Sequence, residues 1–276
     1  MGVLTQRGQA LLKRLGIYHR LKASGIYSLY WTLADRRIIQ ARSAEVRFYR
    51  KVLTGFHKGA LVFDIGANHG QKTDVFLRLG AKVVAVEPDH LNQAILKEKF
   101  LRYRIKKKPV TVVGKAVSEK TAVETMWIDS PGSAKNTLSL KWAELLRVDD
   151  GRFGATLQFA EQRDVATITL EDLIAEHGLP FFIKIDVEGY EPSVLQGLHR
   201  PVPWLSFEVN LPQFKPEGRH CIELLGNISS EGMFNYAVDC QSGLKFNRWL
   251  NERDFLKALD DCNDSSIEVF WKSHAD

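Results

Sequence analysis

From residue 61 onward the chain alternates short apolar runs with stretches of helical period, which predicts a parallel sheet wrapped by helices. The runs 61–65, 82–87 and 110–115 read as strands, with helices at about 70–79 and 90–101 between them. After a break the alternation resumes, with a helix at 170–177, a strand at 181–186, a helix at 190–199 and a strand at 203–209. A helix at 219–231 and two strands, 233–238 and 266–271, complete it. Within the break, "TAVETMWI" and "ATLQFAEQRDVATITL" look like strands around the loop "DSPGSAKNTLSL". Ahead of the sheet, Leu11, Leu12 and Leu15, then Ile38, Ile39, Val46, Tyr49 and Leu53, recur at helical spacing. They predict helices over 4–20 and 36–53, joined by the apolar elbow "SGIYSLYW". The division is therefore a helical extension, 1–58, and a doubly wound α/β domain, 59–276. Ligands of such sheets sit beyond the carboxyl ends of the strands, so functional residues are expected just after Ile65, Val86, Val113, Ile185 and Phe207.

Charge sharpens this division. Residues 1–58 hold 12 of the 38 Lys and Arg but only Asp35 and Glu45 among the acids, a balance of +10 against −5 for the rest. The basic arm suits a membrane surface, nucleic acid or an anionic substrate, with an anionic lipid surface as the candidate partner; a helical extension whose charged faces are simply solvated is the plainer expectation. No run approaches the roughly 18 apolar residues of a membrane span, and the first 20 residues lack a signal-peptide core. Cys221, Cys240 and Cys262 are odd in number and far apart, which fits neither a disulfide framework nor metal-ligand spacing. A cytoplasmic protein, peripheral to a membrane if the arm binds one, is expected.

The densest chemistry begins at Leu61 in "LVFDIGANHG". Gly66 and Gly70 allow a tight turn and close approach of backbone to a ligand, and the next helix offers free N–H groups. The spacing is not the G-x-G-x-x-G of a dinucleotide site. Asp64, two residues before the turn, would also crowd a pyrophosphate and suits a cationic amino group instead. The second strand ends "VVAVEPD", and its Glu87 lies 21 residues after Gly66, where an acid accepts hydrogen bonds from ribose hydroxyls. A ribose on one side and an ammonium on the other describe S-adenosyl-L-methionine.

The segments "VFDIGANHG", "VVAVEPD", "GKAVSEK", "TITLEDLI", "IKIDVEGYEPSVLQG" and "LSFEVN" occur in that order. Together they resemble the FkbM family of class I S-adenosylmethionine-dependent methyltransferases over roughly residues 60–271. The resemblance implies a Rossmann-like seven-stranded sheet with its last strand antiparallel, and O-methylation of sugars, glycolipids or polyketide natural products. It implies that Asp64, Gly66, Asn68 and Gly70 line the methionine end of the cofactor, that Glu87 binds the ribose, and that Ala116 and Val117 border the adenine.

The second centre is "IKIDVEGYE", which turns acidic at its predicted strand tip with Asp186, Glu188 and Glu191. Asp186 is expected to face the cofactor's methionine group and Glu188 the acceptor, with Glu208 at the end of the following strand as a third candidate. The alternative is that these carboxylates cap the helix that follows, a reading weaker for Asp186 than for Glu188. Since the sulfonium methyl is already activated, catalysis is mainly alignment together with removal of one hydroxyl proton. His69 is a possible helper. A divalent metal on these acids could lower the hydroxyl's pKa, but no ligand set is evident.

The insertion after the third strand is expected to overhang the site, flanked by Trp127 and Trp142, for which core packing is the better expectation. "KEKFLRYRIKKK" reads as the solvated tail of a helix. The acidic body and the absence of an Asn/Asp-Pro-Pro-aromatic turn argue against nucleic acid. The remaining alternatives are a nucleic-acid or protein methyltransferase and a module that binds the cofactor without chemistry.

Overall fold

A computed structural model describes residues 36–101, 110–149 and 156–274 of the 276-residue chain. The helix expected at 4–20 and the elbow after it lie outside the described residues, as do Arg102–Lys108 of the basic run. The chain begins with α1 (Arg36–Val52), then β1 (Leu61–Ile65), α2 (Gln71–Leu79), β2 (Lys82–Val86), α3 (His90–Lys99) and β3 (Val110–Val113). The insertion comprises β4 (Ala116–Val117), β5 (Val123–Ile128), α4 (Leu140–Val148) and β6 (Glu161–Ile168). There follow α5 (Leu170–His177), β7 (Phe182–Ile185), α6 (Glu191–Gln196), β8 (Trp204–Asn210), α7 (Lys215–Ile228), β9 (Met233–Ala237), α8 (Glu252–Asp260) and β10 (Ser266–Lys272).

Seven strands form one sheet in the order β3-β2-β1-β7-β8-β10-β9, and β10 runs antiparallel to both its neighbours. This is the Rossmann-like doubly wound sheet expected from the sequence. The order reverses between β1 and β7, which pair in parallel with Phe63 opposite Ile183 and Ile65 opposite Ile185. That junction is the topological switch point, where such sheets hold ligands. β4, β6 and β5 form a separate small sheet, and the strand expected at 110–115 is β3, which ends at Val113, with Gly114 and Lys115 leading into β4.

Side chains of successive residues alternate between the two faces. Phe63, Ile65, Ile183, Ile185, Leu205 and Phe207 pack with α5 to α8. Val62, Phe182 and Trp204 pack on the other face with α1, α2 and α3. Each large apolar side chain buried in these layers contributes about 1.5–3 kcal/mol. α1 lies before the 58/59 boundary but shares this core. Tyr49 is fully buried, with its ring 5.2 Å from Phe76, 5.9 Å from Phe182 and 6.0 Å from Phe270.

Two helices lie where no helix was expected. α4 is capped by Ser139, whose hydroxyl accepts from Trp142 N, directly after the Gly/Ser-containing loop. α8 is capped by Asn251, which accepts from Asp254 N. No helix among the described residues is long and apolar enough to cross a membrane.

Candidate active site

The turn after β1 owes its glycines to two different contacts. Gly66 adopts φ +78, and a Cβ there would lie 1.8 Å from the Asp186 carbonyl oxygen. Only glycine lets the tips of β1 and β7 meet so closely. Gly66 N and Ala67 N both donate to Val86 O at 3.0 Å, fixing the turn to β2 as well. At Gly70 (φ +69) a Cβ would lie 2.6 Å from both Leu96 and Phe100. Gly70 therefore seats the start of α2 against α3 and is not in the wall of the cleft.

Beside this turn a cleft encloses about 560 Å³, part of it open to solvent. Gly66, Asn68, Glu87, Ala116, Val117, Asp186 and Glu188 line it, brought together from four strand ends as their positions after the strands require. Asp64, Gly70 and Glu208 are not among the lining residues. Asp64 is buried on the α2 side, where the Thr73 hydroxyl donates to it, and burial pushes its carboxyl up to about 6 despite Thr73 and Lys184.

Glu87 stands at the tip of β2 with its carboxylate accepting from Asn68 N at 2.8 Å and Asp89 N at 2.9 Å. Burial pushes it up to about 7, against the pull of those backbone N–H groups and Asn92. Asn92 Nδ2 reaches Glu87 at 3.4 Å, which turns Asn92 Oδ1 away; that oxygen is buried in the cleft wall without a hydrogen-bond partner. A Cβ on Gly132 would come within 3.2 Å of it. An unpaired buried acceptor costs about 1–3 kcal/mol, so this wall is short of donors. Ribose hydroxyls supply donors, and Val86, Ala116, Val117, Met126 and Leu138 supply an apolar slot beside them. The residues present fit an adenosine-bearing cofactor.

The insertion closes the far side. Asp89 accepts from Gly132 N and Asn136 Nδ2, each at 3.1 Å, while the Thr137 hydroxyl donates to the Glu188 carbonyl at 2.9 Å. Ser133, Ala134, Asn136, Thr137 and Leu138 thereby join the lining. Trp142 is fully buried against Phe214, whereas Trp127 is half-buried under Arg147. His69 is half-buried at the turn, its carbonyl accepting from Lys99.

The acids of "IKIDVEGYE" separate by role. Glu191, the first residue of α6, braces the turn before that helix, its carboxylate accepting from Val187 N at 3.1 Å and Gly189 N at 3.4 Å, and burial pushes it up to about 7. No acid of the run caps α6, whose N-cap, Tyr190, makes no side-chain capping hydrogen bond. Asp186 and Glu188 remain in the cleft wall, and Glu188 holds a left-handed φ of 54. Glu208 lies one strand over, accepting from the Ser266 hydroxyl at 2.5 Å. Burial first, then the Asp186 charge, pushes it up to about 7.

Lys184 was missed by sequence reasoning, which passed over it inside an apolar strand. It is 1% exposed, and its ammonium lies 3.5 Å from Asp186 and 3.8 Å from Glu268. Burial opposes the charge, but Asp186, Glu268 and Glu208 outweigh it and hold the ammonium above its usual pKa. A lysine in the middle of a central strand was the available signal. Among the described residues no group of three or more His, Cys, Asp or Glu could hold a metal.

No curated protein matches the chain by sequence. Among solved structures, it is similar to precorrin-6y C5,15-methyltransferase from Geobacter metallireducens, at 9% identity and TM-score 0.43 over 87% of this chain and 92% of that one. A TehB-like SAM-dependent methyltransferase from Corynebacterium glutamicum aligns at 11% identity and TM-score 0.41, over 83% and 87%. The plantazolicin methyltransferase BpumL in complex with SAH aligns at 10% and 0.39, over 99% and 100%. The family description "Methyltransferase FkbM domain" matches residues 64–255, from the acid before the glycine turn into α8. The chain thus belongs to the FkbM family and is an S-adenosylmethionine-dependent methyltransferase.

Proposed function

We propose that the enzyme methylates a hydroxyl of a sugar, glycolipid or natural product. The observation that carries this reading is the placement of Asp186 just past the end of β7 and Glu208 inside the neighbouring strand β8, one residue beyond the Ile185–Phe207 pair and beside the glycine turn. Bound S-adenosylmethionine supplies a methyl group already activated on sulfur. The chain's own work is then to align an acceptor oxygen and to take its proton. Asp186, in the cleft wall, accepts the acceptor hydroxyl's hydrogen bond, and the proton passes to the Asp186–Glu208 pair. Glu208, raised to about 7, is matched to that task near neutral pH. Glu188 meets the remainder of the acceptor. Glu87 and Asn68 hold the adenosine and methionine ends, and the Asp89-bound insertion excludes water.

The acceptor is sought by mass spectrometry of cellular glycans and lipids with and without the gene, then confirmed with purified enzyme. Asp186→Ala is expected to abolish turnover of that acceptor. Parental turnover by the variant, or methyl transfer to nucleic acid alone, overturns the reading.

The same reading assigns residues 1–58 to an anionic lipid surface that presents lipid-linked acceptors. The supporting observation is that Arg47, Arg50 and Lys51 are exposed at i, i+3 and i+4 on α1, next to the basic arm. Full-length protein is expected to sediment with anionic vesicles and to be released by salt. Equal sedimentation with neutral vesicles refutes it.

A further inference from the structure

We propose that Lys184 is a positioning residue for methyl transfer: its buried ammonium fixes the carboxylate pair formed by Asp186, just past the end of β7, and Glu208 of β8, and Glu268 fixes the ammonium. The proposal rests on the reading of Asp186 and Glu208 as acceptor-side acids. It deepens that reading by saying what lets two carboxylates stand side by side across neighbouring strands.

Register places the participants on one face. Asp64 pairs with Lys184 and Lys184 with Ser206, in a row crossing β1, β7 and β8. One step nearer the site, Glu208 pairs with Glu268. Four carboxylates therefore face the ammonium: Asp64 from β1, Asp186 from its own strand, Glu208 from β8 and Glu268 from β10. The Lys72 ammonium of α2 and the Cys240 thiol after β9, kept protonated by burial and Glu268, complete the titratable surroundings.

Glu268 differs from the other three. Tyr49 Oη donates to it at 2.9 Å, Ser206 Oγ at 2.7 Å and Cys240 Sγ at 3.1 Å. Burial would raise its pKa, but Lys184, Lys72 and these donors bring it down to about 2. It is a fixed anion held by residues of α1, β8 and the segment after β9. Lys184 also donates to the Ile185 carbonyl at 3.1 Å, so its head is tethered to its own strand. A counter-ion for Glu268 alone would have no need to approach Asp186 within 3.5 Å. The observed placement puts positive charge behind the pair: Asp186 drives the Glu208 carboxyl up, and Lys184 draws it down.

The test is a titration of full-length protein carrying ¹³C in its Asp and Glu carboxyls, followed by NMR, with Glu208 assigned by Glu208→Gln. Lys184→Met alone leaves Glu268 a buried charge without its partner and can unfold the protein. The deciding comparison is therefore Lys184→Met/Glu268→Gln against Glu268→Gln. The Glu208 midpoint is expected about 1–3 units higher in the double variant, the range for loss of a neighbouring opposite charge. Lys184→Arg is expected to keep the parental midpoint, because it keeps the cation. An equal Glu208 midpoint in the double variant and in Glu268→Gln overturns the proposal, since a purely structural lysine would leave it there. The underlying reading fails separately: parental turnover of an identified acceptor by Asp186→Asn removes it, whatever the titration shows.

Discussion

Glu87 gives the cofactor site a measurable pH dependence. Its carboxyl titrates near 7 because burial outweighs the N–H groups of Asp89 and Asn68 that favour the anion. Ribose hydroxyls donate, so they bind the anionic form. A group with this midpoint is about 90% ionised at pH 8 and about 10% ionised at pH 6. Affinity for S-adenosylhomocysteine is therefore expected to fall about tenfold between those values, or about 1.4 kcal/mol. Near pH 7, binding should release about half a proton, read by calorimetry in two buffers of different ionisation heat. Asp64, Glu191 and Glu208 also titrate at about 6 to 7, so Glu87→Gln is the control that isolates this group. The variant should bind about 10–100-fold more weakly at pH 8, as expected for losing a hydrogen bond to a charged group, and lose most of the pH dependence. Parental affinity that is flat from pH 6 to 8, or an unchanged slope in the variant, refutes the role of Glu87.

Gly66→Ala should abolish binding of S-adenosylhomocysteine in calorimetry, since its Cβ would fall 1.8 Å from the Asp186 carbonyl oxygen and backbone must move; affinity within twofold of the parent would refute the contact. Tyr49→Phe should lower the melting temperature through loss of a hydrogen bond to the Glu268 carboxylate, worth about 1.5–3 kcal/mol and observed at 2.9 Å; an unchanged melting temperature would refute it. Folded Asp64, Glu87, Glu191 and Glu208 titrate above their ordinary values, so the stability they contribute is complete below about pH 4 and is lost as pH rises through 6 to 7. Glu268, held near 2, contributes stability above its ordinary value that is lost as pH falls from about 4.5 toward 2. The ligand-free protein should therefore melt at a higher temperature at pH 5.5 than at pH 7.5, and the reverse order would refute this balance.

The strands and the helices that alternate with them were legible because each is short, bounded and periodic. β1, β2, β7 and β8 are central strands buried on both faces, so they read as mainly apolar runs, each broken at most by one or two polar residues. α8 was overlooked although its signal was present: Phe255, Leu256, Ala258 and Leu259 recur at helical spacing behind the cap Asn251, in a stretch of only nine residues. α4 was hidden behind a loop that reads as irregular, and its signal was the cap Ser139 followed by Trp142, Ala143 and Leu146 at helical spacing. The cleft wall was largely legible because doubly wound sheets put ligands after strand ends, a rule that needs only boundaries good to a residue or two. Gly70 shows the limit of that reasoning. Its helix-facing contact with Leu96 and Phe100 depends on where α3 lies in space, which local spacing does not encode.

Buried charge was hardest to foresee, and the cause is physical. Lys184 interrupts the apolar strand "FIKI", and such a residue reads either as an exposed position or as a break in the pattern. What makes it tolerable is assembled from far away: Glu268 lies 84 residues on, and Tyr49, which supports Glu268, lies 135 residues back. No window of sequence contains the three together. The sequence does hold a weaker trace, since an ammonium in a central parallel strand must have anions on neighbouring strands at matching register. Asp64, Glu208 and Glu268 are the acids that interrupt β1, β8 and β10, and each does so at a point the sheet brings to the same face. Polar residues that break several apolar strands at compatible register thus mark a buried network before any contact is known. In this chain that network lies directly beneath the proposed transfer site, and α1, which precedes the matched family region, supplies one of its hydrogen bonds.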